Sequence, residues 1–88
     1  MDQGIVIYST TWCGDCRRAK RVMDQLDVDY REVNIDVDET AAARVVQLNG
    51  GSRSVPTIVF PDGDILVEPS NAALTQKLVE AGFVTAHG

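Results

Sequence analysis

Ser9-Thr10-Thr11-Trp12-Cys13-Gly14-Asp15-Cys16-Arg17-Arg18 holds both cysteines of the 88-residue chain, its single tryptophan and the start of a basic cluster. A strand pattern gives way to a helix pattern here. Ile5-Val6-Ile7-Tyr8, just before it, is a short continuous apolar run of the kind found in buried central strands. After it, Ala19, Val22, Met23 and Leu26 recur at helical spacing. The spacing therefore predicts a helix over about 13–26, with Cys13 in its first turn. Unpaired backbone N–H groups and the positive end of the helix dipole meet there. A thiolate so placed has a pKa of roughly 3.5–7.5, against about 8.5 for a free cysteine. Cys16 falls in line with Ala19, Met23 and Leu26, the core-facing stripe. Residues three apart on a helix lie about 5–6 Å apart at Cβ, close to disulfide range. The expectation is an exposed attacking sulfur at Cys13 and a sheltered second sulfur at Cys16.

The rest of the chain supplies strands and helices in alternation. Tyr30 to Ile35 alternates as a half-buried strand, with Arg31, Val33 and Ile35 on one face. Asp36, Asp38 and Glu39 gather where a second helix begins, as the dipole favours. That helix carries Ala41, Ala42, Val45, Val46 and Leu48, and Asn49-Gly50-Gly51 ends it. Thr57 to Phe60 is β-rich, with Pro56 at a permitted entry position. Pro61-Asp62-Gly63-Asp64 turns the chain into Ile65-Leu66-Val67, the return of a hairpin. Ser70 is the expected N-cap of a last helix with Leu74, Leu78 and Ala81 inward; Gly82 stops it and Phe83 packs back. The order β-α-β-α-β-β-α implies an α/β fold, a mixed four-stranded sheet flanked by helices. No repeat or linker interrupts it, so residues 1–88 read as one domain.

Composition narrows the function classes. The net charge is -5, which argues against nucleic acid and anionic membranes as partners. No apolar run approaches the length of a membrane span. Asp2 and the short run after Gly4 do not make a signal peptide. Two cysteines spaced C-x-x-C beside a βαβ pattern point to cytoplasmic redox chemistry rather than to a secreted disulfide scaffold. A structural zinc site wants four ligands. The cysteines and His87, in the tail, fall short of that, so no metal is expected within one chain.

With these residues in place, the chain resembles the glutaredoxin branch of the thioredoxin superfamily. The likeness rests on Trp12-Cys13-Gly14-Asp15-Cys16, on Ser54-Val55-Pro56 and on the hairpin from Thr57 to Val67. The central Gly14, the segment Pro56 to Gly63 and the Pro69-Ser70 helix start are most similar to mycoredoxins, which use small thiols other than glutathione. The resemblance implies a thioredoxin fold, a cis Pro56 facing the cysteine pair, and backbone pairing between Val55 and an extended thiol substrate. It implies Cys13 as nucleophile and Cys16 as resolving thiol, no bound cofactor, a low-molecular-weight thiol as co-substrate, and a monomer. Glutathione-using members carry Tyr or Phe where Asp15 stands, and Gly-Gly with an acid where Glu68-Pro69-Ser70-Asn71 stands. Both departures point away from glutathione.

Further candidates stand around the cysteines. Trp12, beside the nucleophile, is placed to line the site and touch substrate. Arg53 suits a carboxylate on the small thiol, as guanidinium pairs bidentately with carboxylates; a plain surface charge in the loop is the alternative. Asp15 disfavours a neighbouring thiolate, and Arg17 or Arg18 offsets it. Two other functions remain open: a redoxin fed by thioredoxin reductase, a flavin disulfide reductase, and a non-catalytic carrier of zinc or an iron–sulfur cluster held between two chains through Cys13.

Overall fold

Alternating side chains on one buried strand decide how the layers assemble. The computed structural model describes residues 4–84. Asp2 and His87 lie outside them, and so do the readings that rested on those two residues. The elements are β1 (Ile5–Ser9), α1 (Gly14–Gln25), β2 (Tyr30–Asn34), α2 (Glu39–Leu48), β3 (Thr57–Val59), β4 (Ile65–Val67) and α3 (Asn71–Glu80). The sheet order is β2-β1-β3-β4. β1 pairs parallel to β2, from Ile5 with Tyr30 to Ser9 with Asn34, and antiparallel to β3, where Ile7 faces Ile58. β3 and β4 form the expected antiparallel hairpin. β1 is thus an interior strand, as its apolar run implies.

Successive side chains of β1 point to opposite faces. Ile5 and Ile7 join Ala19, Val22 and Met23 of α1 and Leu74 and Leu78 of α3 in one core. Tyr8 joins Ile35 and Ala41 and Val45 of α2 in the other. The sheet is therefore sandwiched between α1 and α3 on one side and α2 on the other. Each helix start is capped by a side chain. Asp38 accepts from the N–H of Ala41 at 3.0 Å, and Ser70 from that of Ala73 at 3.1 Å. Such caps are worth about 1 kcal/mol each. Gly82, at φ 84, uses the left-handed region to turn Phe83 back, and the Phe83 N–H donates to the Leu78 carbonyl at 2.9 Å.

Several boundaries differ from the sequence reading. α1 starts at Gly14, so Cys13 is its N-cap rather than part of its first turn. Ile35 is buried, but one residue beyond β2. Phe60 follows β3 and donates its N–H to the Asp64 carbonyl, closing the hairpin turn. Ala81 is only half-buried because it is the C-cap of α3, where the helix leaves the core. No helix among the described residues is long and apolar enough to cross a membrane.

Candidate active site

The cysteine pair sits where β1 hands the chain to α1, and the helix start shapes its chemistry. Cys13 caps α1 as a serine would. Its backbone is extended (φ -85, ψ 109), and its Sγ accepts from the N–H of Cys16 at 3.0 Å. An orphan donor of the helix is thereby aimed at the sulfur. A thiolate held at this position would be favoured both by charge-assisted bonding to that N–H and by the helix dipole. Cys13 and Cys16 are joined as a disulfide, with Cα atoms 5.2 Å apart.

The exposure expected for Cys13 is not found. Cys13 is 6% exposed and Cys16 fully buried. The cover comes from the loop before β3. The Val55–Pro56 peptide bond is cis, Pro56 is buried, and the carbonyl oxygen of Val55 lies 3.8 Å from Cys13 Sγ. What access Cys13 has is through an open groove of about 490 Å³, which it lines together with Trp12, Asp15, Arg53, Val55 and Glu68. The asymmetry between the sulfurs survives in this weaker form: Cys13 borders the groove and Cys16 faces the core.

Glu68 reaches the groove through an uncommon backbone. It adopts φ 48, and its N–H donates to the Pro56 carbonyl at 2.9 Å. A non-glycine residue in this region is worth notice. It hangs the strand end after β4 beside the proline loop.

Of the two arginines expected to offset Asp15, Arg18 is the one that reaches it. Asp15 pairs with Arg18 at 3.2 Å, while Arg17 donates to the Thr11 carbonyl at 3.0 Å and lines a second depression with Lys20 and Glu32. The i,i+3 spacing brings Arg18 to Asp15, whereas Arg17, two residues on, points elsewhere. Lys20 is also engaged. It and the hydroxyl of Ser9 both donate to Glu32 Oε2, at 2.7 and 2.6 Å. These bonds, Lys20 first, hold the Glu32 carboxyl below the usual range.

The contact that sequence reasoning missed is made by Asp36. One of its oxygens accepts from Trp12 Nε1 at 2.9 Å, the other from Arg53 at 3.1 Å. Arg53 also donates to the carbonyl of Ile35 at 3.3 Å. Trp12 is nevertheless 69% exposed, so its ring is tethered at one edge and otherwise open to a substrate. Tyr8, by contrast, belongs to the core.

Asp15 borders the groove with Cys13, and its carboxylate is offset only by an exposed ion pair. Asp15→Asn removes a carboxylate that disfavours a neighbouring thiolate, so Cys13 is expected to react with an alkylating agent at lower pH than in the parent. The pH dependence of Cys13 alkylation, read in a Cys16→Ser background, checks this. An unchanged or higher midpoint ends the idea.

Comparison with known proteins gives this arrangement its context. The family model for glutaredoxin matches residues 5–66. Rv3198A of Mycobacterium tuberculosis, a protein named as a glutaredoxin, is 42% identical over 86% of this chain and 90% of its own. Mycoredoxin 1 of Corynebacterium glutamicum is 34% identical over 84% of this chain and 91% of its own. Among solved structures, the thioredoxin-like protein BC3987 superposes with a TM-score of 0.73 at 28% identity, covering 82% of this chain and 96% of that one. A buckwheat glutaredoxin in complex with glutathione gives 0.68 at 26%, covering 92% and 81%.

Proposed function

The chain belongs to the glutaredoxin family and is a thiol-disulfide oxidoreductase, and from that premise we propose that it reduces mixed disulfides between proteins and a small thiol of the mycothiol or bacillithiol type rather than glutathione. The observation that carries the small-thiol reading is the groove. Cys13 borders a depression of about 490 Å³, within the roughly 300–1,000 Å³ usual for small-molecule sites. The preference against glutathione draws support from Asp15 and Glu68 at its rim and from the likeness to Mycoredoxin 1.

The chemistry follows from thiol-disulfide exchange. The Cys13 thiolate attacks the small-thiol sulfur of the mixed disulfide. A new S–S bond joins Cys13 to the small thiol, and the client protein leaves as a thiolate that takes up a proton. A second small thiol, as thiolate, then attacks that bond. It releases the two small thiols as their disulfide and returns Cys13 as thiolate. Electrons thus come from the small thiols, and the family works with such co-substrates and without a prosthetic group. Against a client disulfide, Cys16 resolves the intermediate instead, giving the Cys13–Cys16 bond seen here.

The test is a trap in the native cells. Cys16→Ser is expressed, thiols are quenched with acid, and the adducts on Cys13 are weighed by intact mass. The expected result is an adduct of a small thiol other than glutathione. Protein adducts alone would point to a redoxin fed by a flavin disulfide reductase, and a glutathione adduct would overturn the thiol assignment.

A further inference from the structure

We propose that Asp36 is a specificity-determining residue, which neutralises Arg53 and so turns the groove against small thiols that are recognised by their carboxylates. The inference rests on the small-thiol reading above and names the class of thiol that the site selects.

Arg53 is the one cationic side chain among the described residues that line the groove. Its guanidinium is held by the Asp36 carboxylate at 3.1 Å and by the Ile35 carbonyl at 3.3 Å. The second Asp36 oxygen is anchored on Trp12 Nε1 at 2.9 Å, so the carboxylate is fixed from both sides. The other charges at the groove do not compensate. Asp15 is only partly offset by its exposed ion pair with Arg18, and Glu68 adds a further acid. A peptide thiol such as glutathione must bring carboxylates to this rim. It meets a cation whose charge is already answered, and an acid that repels it. A thiol with a neutral, hydroxyl-bearing end meets neither penalty, and Trp12 offers it an open ring face. Arg53, expected from the sequence to receive a carboxylate from the substrate, receives one from Asp36.

The experiment compares one peptide carrying, as a mixed disulfide, either glutathione or uncharged 2-mercaptoethanol. Second-order rate constants for the first exchange step are measured with reduced wild type, Asp36→Asn and Asp36→Asn/Arg53→Gln. Asparagine keeps an acceptor for Trp12 but removes the charge. The glutathione-to-mercaptoethanol rate ratio is expected to rise about three- to tenfold in Asp36→Asn, the range of a newly available charge-assisted contact near a surface. That rise should shrink at high salt and vanish in the double variant. A flat ratio, or a rise that survives Arg53→Gln, overturns the proposal. Asp36→Ser, read the same way, serves where asparagine disturbs the fold. Wild type that reacts with neither mixed disulfide would instead defeat the small-thiol reading itself, so the two failures are distinguishable.

Discussion

Cys13→Ser is expected to lose reduction of small-thiol mixed disulfides by at least about a thousandfold, the scale on which removing a covalent nucleophile acts. The reasons are geometric. Cys13 alone borders the groove, and its Sγ alone receives the helix-start N–H, from Cys16 at 3.0 Å. Serine keeps that bond as an N-cap, so the fold should stand while the chemistry stops. A hydroxyl does not ionise near neutral pH and forms no S–S bond. Cys16→Ser is expected to behave differently. Cys16 is fully buried and, in the mechanism proposed above, enters only to resolve protein adducts, so turnover of small-thiol mixed disulfides should persist while reduction of protein disulfides falls. Initial rates on both substrate types, for both variants, decide the matter. Turnover carried by Cys16 alone in Cys13→Ser would remove Cys13 from its role.

The legibility of this site in the sequence depended on distance along the chain. The cysteine pair could be read because its chemistry is local: a strand pattern, a helix pattern and a spacing of three residues. The loop that covers Cys13 was not legible in the same way. Val55 lies 42 residues further on, and only folding brings its carbonyl to the sulfur. The same holds for Asp36. Its local signal was an acid near a helix start, and by that rule Asp38 and Asp36 looked alike. Asp38 did become the cap of α2. Asp36, two residues earlier, fell outside the helix and met Trp12 and Arg53, which stand 24 and 17 residues away. Dipole arguments locate acids along one element and say nothing of what a second element brings to them.

The fold was more legible than the site, since period and capping residues are both short-range. β1 alternates, so one strand feeds two cores, and the helices repeat apolar residues on the side that faces it. The ends were less legible. An N-cap and a first helical residue differ by one position, and Cys13 is compatible with either. Ala81 and Ile35 fit the apolar period of their elements but fall just past the last hydrogen-bonded turn or strand pair.

Phe60→Ala is expected to destabilise the fold by about 3–5 kcal/mol, the range for truncating a buried aromatic. Small domains have about 5–15 kcal/mol in all, so the variant should be near its unfolding limit. Phe60 is 2% exposed and belongs to the core between the sheet, α1 and α3. Its ring stands 6.4 Å from that of Phe83 at an interplanar angle of 57°, a tilted aromatic pair. Lys77 Nζ sits 5.2 Å from the ring centroid and also bonds Asp62 and Asp64 in the hairpin turn. Those carboxylates, Asp62 first, hold the Lys77 ammonium above its usual range. One side chain therefore ties the hairpin, α3 and the returning C-terminal segment together. Alanine would open a cavity beneath Lys77 and remove both ring contacts at once. Phe60→Leu fills most of the space and should lose clearly less. Val37→Ala, at an 82% exposed position, should stay within about 0.5 kcal/mol of wild type. Urea unfolding with the Cys13–Cys16 disulfide kept intact gives all three values on one scale. An alanine variant that unfolds at the wild-type midpoint would mean that Phe60 is not the joint between α3 and the hairpin.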